Sequence, residues 1–372
     1  MTAVELEPVE GGLVAELARV RLSLDRAEPD APATLIAKFP SRRGAARSLG
    51  EASQGYEREC RFYAEVAREA PIPTARLYHA ACDPFPGQAL VAPVKLLLEG
   101  LPDPLVRIPL GAILRAARLP LRRWMLLLED LPEGRGVPED GCDARTAERA
   151  LRPLAALHAH FWESPRLSEL AWLKPLDETP KLLHVLFRRA WPGFRKSDRA
   201  RSARVELRAL GAWLDAHGVA LLRALGRAPV TLIHGDYHLD NLVFAHGELR
   251  AALDWQAVAR ARGVFDAAYF LCADLEADLE PEVERGIVRG YHLALLERGV
   301  PGYDFEACWR DYELAKLGVF HRLVVAFDAM ELSHEREIAR VNRWCERATA
   351  RVASVDLDAA ARDLAARAAA GG

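Results

Sequence analysis

Lysine is scarce in this chain: six residues stand against 44 arginines in a length of 372. So skewed a choice of cation reads as coding bias, and it makes each lysine that is kept a position to inspect. Excess positive charge is also missing. The formal net charge is −3 and the pI near 6.4, which argues against a general nucleic-acid binder. No Cys-x-x-Cys pair occurs among Cys60, Cys82, Cys142, Cys272, Cys308 and Cys345, and a chain this long needs no disulfide staples. A membrane span needs about 20 mostly apolar residues. The most apolar stretch, Ala89 to Leu128, is broken by prolines and by Lys95, Arg107, Arg115, Arg118, Arg122 and Arg123. The acidic opening, Met1 to Glu7, has neither the basic nor the apolar region of a signal peptide. These absences predict a soluble, reduced, cytoplasmic protein with no membrane span and no nucleic-acid partner.

What is present suits a folded chain with a sizeable core. Hydrophobic residues make up 51% and charged residues 28%, too apolar for a disordered chain. At about 100–200 residues per domain, the length fits two domains or one two-lobed unit. The first third reads as strands: Val4 to Val9, Ala18 to Leu24 and Ala33 to Phe39 predict an antiparallel meander. A helix follows from about Gly55 to Glu69, with Tyr56, Cys60, Tyr63 and Ala67 on one face. Pro71 and Pro73 end it. A turn-rich connector from Pro132 to Gly141 is the best boundary, dividing the chain into lobes at 1–131 and 132–372. Beyond it the pattern is helical, interrupted by a hairpin of Asn241 to Ala245 and Leu249 to Asp254 around a His246-Gly247 turn. Strands first and helices after predict an α+β fold, with ligands expected between the lobes.

The densest polar constellation is Leu232-Ile233-His234-Gly235-Asp236-Tyr237-His238-Leu239-Asp240-Asn241, followed by Leu253-Asp254-Trp255-Gln256. Phosphoryl transfer needs one carboxylate to receive or orient the attacking hydroxyl, and a carboxamide with a second carboxylate to hold Mg²⁺ on the phosphates. Asp236, Asn241 and Asp254 are such a set, and the hairpin would return Asp254 to the end where Asn241 sits. Two other readings exist. His234, Asp236 and His238 form a His-x-Asp-x-His cluster that could take zinc, but no further ligand set stands at suitable spacing. A satisfied polar loop beside a hairpin is the plainer alternative.

The pattern His-Gly-Asp-x-His-x-x-Asn with a later Asp-Trp-Gln resembles the aminoglycoside phosphotransferase superfamily of small-molecule kinases, within it the ecdysteroid kinase-like branch most closely. Further matches are Tyr56 to Tyr63, Leu126 to Leu131, Leu157 to Trp162 and Asp266 to Leu271. The resemblance implies a protein-kinase-like two-lobed fold, with a small antiparallel-sheet N-lobe, a larger helical C-lobe and ATP in the cleft. It implies Asp236 as the catalytic base and Asn241 and Asp254 as Mg²⁺ ligands. Lys38, in Leu35-Ile36-Ala37-Lys38, matches the strand lysine that pairs with ATP phosphates. Glu129-Asp130-Leu131 matches the interlobe hinge, so Glu129 and Leu131 are expected at the adenine, and Gly12 of the first loop at the phosphates.

The glutamate partner of Lys38 can be chosen by geometry. At 100° per residue, Glu59 lies ~40° from the centre of the apolar face and Glu57 ~120° away. A carboxylate on a buried face needs a partner, so Glu59 is expected to hold Lys38 and Glu57 to be solvated. His234 is expected to brace the loop, His238 to brace it or touch substrate, and Asp266 to fix the loop or cap the helix starting there. His158 and His160 are about 200° apart on a helix and cannot share a metal.

The chain departs from the family pattern in places. Gly11-Gly12 is not a full Gly-x-Gly-x-x-Gly loop, no Walker A motif exists, and the segment from about 83 to 123 reads as an insertion. Two charge runs bear on substrate. Asp274 to Glu284 carries six acids and no base, and Arg188 to Arg208 carries eight bases against Asp198 and Glu206. Such runs are mostly solvated faces, though an acidic one suits a cationic sugar and a basic one a carboxylate or coenzyme A phosphates. The expected function is an ATP- and Mg²⁺-dependent kinase acting on a small-molecule alcohol. The alternatives are a hydroxyacyl-CoA or hydroxy acid kinase and a non-catalytic nucleotide-binding regulatory module. A protein kinase is disfavoured, because only eleven residues separate Asp254 from Asp266.

Overall fold

The first third of the chain builds one antiparallel sheet. β1 (Ala3–Val9), β2 (Ala15–Ser23) and β3 (Thr34–Pro40) form the meander, and β4 (Leu77–Cys82) and β5 (Trp124–Glu129) complete it in the order β1-β2-β3-β5-β4. This computed structural model describes residues 2–9, 15–26, 31–42, 47, 50–51, 53–83, 99–101, 123–131, 141–197, 204–277, 279–329 and 335–370. In β5, Trp124, Leu126 and Leu128 are buried in strict alternation, the period of a strand with one face on a core. In β3, Leu35 and Ala37 pack with Val20 on one face. Lys38, next along, therefore points to the other, where the helix lies.

That helix, α1 (Gly55–Arg61), differs from the sequence expectation. It stops at Arg61 and widens into a π-helical turn over Phe62–Val66. Phe62, the first residue of that turn, is buried and its ring stacks on Trp255 at 3.7 Å between centroids. Glu57 also differs. Its side chain is only 13% exposed and it pairs with Arg61 at 3.1 Å, because a helix neighbour four residues on is within reach whichever face it occupies.

The rest is helical: α2 (Ala144–His160), the short α3 (Arg166–Glu169), α4 (Pro180–Lys196), α5 (Arg204–Gly226), α6 (Val264–Asp274), α7 (Pro281–Leu296), α8 (Phe305–Ala329), α9 (Glu335–Ala353) and α10 (Leu357–Ala370). Between α5 and α6 run β6 (Thr231–Ile233), the hairpin strands β7 (Leu242–Ala245) and β8 (Glu248–Ala252), and β9 (Ala259–Ala261) paired to β6. His246 and Gly247 both have positive φ, as a two-residue hairpin turn of matching twist requires. One continuous core joins Leu126, Leu128 and Phe62 to Trp255, Tyr237 and Phe270, so sheet and helices share their apolar packing. Among the described residues no helix is long and apolar enough to cross a membrane.

The connector at 132–140 and most of the 83–123 segment lie outside the described residues. The segment leaves and returns at one point, where Asp83 N donates to Arg123 O and Arg123 N to Asp83 Oδ2, both at 2.9 Å. Within it, the Glu99 carboxylate accepts from the backbone N–H groups of Lys181 and Leu182 at 3.2 and 3.1 Å, which satisfies the otherwise open N-terminus of α4.

The helical core carries an acid-sensitive element. His321 of α8 stacks on Phe187 at 4.6 Å, and its Nε2 has no hydrogen-bond partner. Burial, with His184 beside it, pushes its pKa down to about 3. The unfolded chain therefore binds a proton that the folded chain refuses. Its stability contribution is intact above about pH 6.5 and is lost as pH falls towards 3, by up to ~1.4 kcal/mol per pH unit. His321→Phe keeps the stacked ring without the basic nitrogen. Its urea midpoint should fall less than that of the wild type between pH 6.5 and 4.5; parallel curves would refute the assignment.

Candidate active site

The sheet, α1 and the hairpin meet at one ammonium. Lys38 Nζ donates to Glu59 Oε1 and Oε2 at 2.7 and 3.0 Å and to Asp254 Oδ1 at 3.1 Å. Lys38 is buried and Glu59 is 1% exposed, whereas the Asp254 side chain keeps 24% of its surface. Burial alone would discharge the lysine. Asp254 and Glu59 outweigh it and raise its pKa, so the ammonium stays charged. Burial pushes Glu59 up, and Lys38 opposes it.

Asp254 itself sits in the left-handed backbone region, φ 63°, rare for a side-chain-bearing residue. Its neighbours impose the conformation. Trp255 is locked by the Phe62 stack and by Nε1 donating to Ala252 O at 3.0 Å. Leu253 N donates to Asn241 O at 2.8 Å, so the hairpin does return Asp254 to the end where Asn241 sits. Gln256 Nε2 donates to Asp254 Oδ2 at 3.3 Å.

The loop before the hairpin is held from below by one buried carboxylate. Asp266 Oδ2 accepts from His234 N at 2.6 Å and Oδ1 from Gly235 N at 2.8 Å. His158 stands behind it, with Nε2 at 3.3 Å from Asp266 and Nδ1 at 2.8 Å from the Tyr291 hydroxyl. Asp266 thus holds the loop rather than capping α6. His234 Nδ1 accepts from Asp236 N at 3.3 Å, so Nε2 carries the proton given to Leu253 O at 2.8 Å. Burial lowers its pKa, which keeps this tautomer neutral. One imidazole therefore braces both the loop and the residue before Asp254.

Asp236 and Asn241 are adjacent. Asn241 Nδ2 donates to Asp236 O at 2.9 Å and lies 3.0 Å from His238 Nε2. That leaves Asn241 Oδ1 without a donor among the described residues. Asp236 keeps 24% of its side-chain surface. Burial alone would raise its pKa, but His238, Arg322 and the Tyr269 hydroxyl hold the carboxyl well below the usual carboxylate range. His238 is buried, at 3.7 Å from Asp236 Oδ2, with Trp344 of α9 edge-on at 4.5 Å. Burial lowers its pKa, yet Asp236 outweighs burial and the net shift is upward. His234 and His238 thus face different partners, and no group of three or more His, Cys, Asp or Glu that could hold a metal ion occurs among the described residues.

At the end of β5, Glu129 Oε2 accepts from Arg76 N and Oε1 from Arg250 Nη2, both at 3.1 Å, tying β5 to β8. Asp130 accepts from Arg19 Nε at 2.7 Å, and Leu131 packs on the core. Gly12 lies outside the described residues. Three neighbours of the site had no place in the sequence reading. Arg58 is a helix position beside Glu59, whereas Arg322 and Trp344 come from α8 and α9, remote in sequence and without a motif. The acidic run is not a solvated face at its ends. Asp274 accepts from Leu239 N at 2.7 Å, with burial pushing its carboxyl up to about 6. Glu284 accepts from Arg351 Nη1 and the Tyr312 hydroxyl, both at 2.6 Å.

This architecture is shared. The model of the phosphotransferase enzyme family matches residues 24–309, and the chain belongs to that family. Among solved structures, it is similar to a candidate aminoglycoside phosphotransferase from Ralstonia eutropha (13% identity, 97% of this chain and 94% of the other, TM-score 0.53). It is similar to a choline kinase from Cryptosporidium parvum (8%, 94% and 89%, TM-score 0.53). An APH(2") enzyme solved with GDP and kanamycin is a third (13%, 97% and 94%, TM-score 0.50). Identities this low speak for the fold alone. No curated protein sequence matches. The fold is accordingly the α+β, kinase-like arrangement of this family.

Gly235 gives a direct test of the loop. Its φ is +79°, and a Cβ there would meet Ala257 O at 2.3 Å, a backbone atom that cannot step aside. Gly235→Ala should cost about 1–3 kcal/mol in urea unfolding. Gly193 lies within α4 with nothing near its would-be Cβ, so Gly193→Ala should gain about 0.5–1 kcal/mol. Equal stabilities for the two variants would contradict the close approach.

Proposed function

We propose that the chain transfers the γ-phosphoryl group of ATP, with Mg²⁺, to a hydroxyl of a small molecule. The nucleotide would lie between lobes at 1–131 and 132–372, with Glu129 and Leu131 towards the adenine and Gly12 towards the phosphates. The observation that carries this reading is the ammonium of Lys38 shared between Glu59 and Asp254, beside Asp236 and Asn241. Nucleotide binding is supported by the relative solved with GDP.

The residues suit a divalent ion. Glu59 and Asp254 bring two carboxylates to one lysine, and Asn241, whose backbone the hairpin holds beside Leu253, has a carboxamide oxygen left over. Asn241 and Asp254 would hold Mg²⁺, whose charge would neutralise the phosphate oxygens. This chain's own residues do the remaining work. Glu59 keeps Lys38 extended towards the phosphates, so the ammonium is in place before charge develops. Asp236 would accept a hydrogen bond from the acceptor hydroxyl and align its oxygen. A carboxylate with so low a pKa is a weak base, so it takes the proton late, as the oxygen–phosphorus bond forms. Asn241 fixes the Asp236 backbone, and His238 its carboxylate.

Asp236→Ala should keep nucleotide affinity and lose transfer by about 10²–10⁴-fold, read by ATP consumption against a panel of alcohols. Wild-type turnover in that variant would remove Asp236 from the mechanism. Lys38→Arg tests the ammonium separately. A planar fork cannot place one nitrogen between two carboxylates in so small a space, so turnover should fall about 10²–10³-fold. Substantial retained activity would contradict the role given to Lys38.

A further inference from the structure

One cation near the site remains unspent. Arg322 lies on α8, half-buried, and among the described residues it makes no hydrogen bond and no ion pair. A half-buried guanidinium with no protein partner leaves its N–H donors open to solvent or to a ligand. Its surroundings show where it stands. α8 packs along α6, which carries Tyr269, and Tyr269 lies against His238. Arg322 acts electrostatically on Asp236, on Tyr269 and on Arg58.

Arg58 deepens the positive field. Its Nη1 donates to Val258 O at 3.2 Å and its Nη2 to Ser53 O, so it clamps the segment after Asp254. Its Nε is buried without a partner. Burial first, then Arg322 beside it, lowers its pKa to about 10, with Glu178 opposing. Two guanidiniums that repel one another therefore stand near the site, with Arg322 within electrostatic reach of Asp236. Such a pair is stabilised when an anion enters between or beside them.

We propose that Arg322, backed by the field of Arg58, binds an oxyanion on the acceptor, so that the molecule phosphorylated is an alcohol carrying a carboxylate or a phosphate monoester. The inference rests on the kinase reading above and narrows its acceptor class. His238, Tyr269 and Trp344 would flank the body of that molecule, while its hydroxyl reaches Asp236. An acceptor of the opposite charge would meet Arg322 with no counter-ion and bind poorly.

The test is calorimetric titration of the full chain, with the nucleotide site filled by Mg²⁺ and a non-hydrolysable ATP analogue. Malonate and inorganic phosphate are the two probes. The wild type should bind at least one, Arg322→Gln should bind it 10–100-fold more weakly, and Arg322→Lys should recover part of the loss. Circular dichroism on each variant confirms folding. Tighter malonate than phosphate indicates a hydroxy acid, and the reverse a phosphorylated alcohol. Equal affinity in wild type and Arg322→Gln, or no binding of either anion, overturns the inference and leaves the kinase reading standing. Failure to bind the analogue itself overturns both. In turnover, KM for a hydroxy acid or phosphorylated alcohol should rise in Arg322→Gln while KM for ATP does not. Wild-type turnover confined to neutral or cationic alcohols also counts against the inference alone.

Discussion

Three segments that are far apart in sequence are held at one point by the Lys38 ammonium. It comes from β3, Glu59 from α1 and Asp254 from the turn after β8, and each is bound at 3.1 Å or less. The arrangement is demanding because two of the three groups are buried, and removing one partner of a buried pair costs about 3–5 kcal/mol. The surrounding packing is what makes it tolerable. Phe62, three residues beyond Glu59, stacks on Trp255, one residue beyond Asp254. The aromatic contact and the ion pair thus set the same distance between α1 and the hairpin, one by apolar area and the other by charge.

A second layer of buried polar groups sets the loop that carries Asp236. Asp266 receives two backbone N–H groups, His234 bridges Asp236 N and Leu253 O, and His158 with Tyr291 stands behind Asp266. A network of this kind is favourable only when every member is satisfied, and here each donor has its acceptor. Gly235 is part of the same constraint, since its positive φ and the Ala257 carbonyl leave no room for a side chain. The loop is therefore positioned before any ligand arrives, and little reorganisation is left for the moment of reaction.

Much of this was legible in the sequence, for identifiable reasons. Strand alternation, the His246-Gly247 turn and the apolar face of α1 are local signals, and local signals carry meander, hairpin and helix. The choice of Glu59 over Glu57 for Lys38 followed from helical angle alone. What escaped was decided at a distance. The π turn at Phe62 answers to Trp255, almost two hundred residues later, and no period within the helix announces it. Glu57 is shielded by Arg61 rather than solvated, because side-chain reach along a helix is longer than its angular position suggests. The acidic run misled for a related reason. Its even spacing suggests a solvated face, yet its two ends are buried against Leu239 and Arg351, partners that only tertiary packing supplies.

The cations complete the argument. Arginine is so common here that no single one stands out in the sequence, whereas the rare lysines do. Lys38 and Lys316 are both buried among carboxylates, the latter at 2.8 Å from Glu313 and 3.5 Å from Glu284. A compact ammonium shared by two acids is the common feature, and it suits an enclosed corner where a planar fork does not fit. The arginines instead divide by what their forks have found. Arg351 spends its fork on Glu284 and backbone carbonyls, and Arg58 on Val258 and Ser53. Arg322 leaves its fork open among the described residues, beside the carboxylate proposed to orient the acceptor. Charge placed at such a point acts on whatever approaches Asp236, so on the proposed reading the sign of the acceptor would be selected where its hydroxyl is aligned. The proposed discrimination would reside in one side chain of α8, and it is the folding of α8 against α6 that places it.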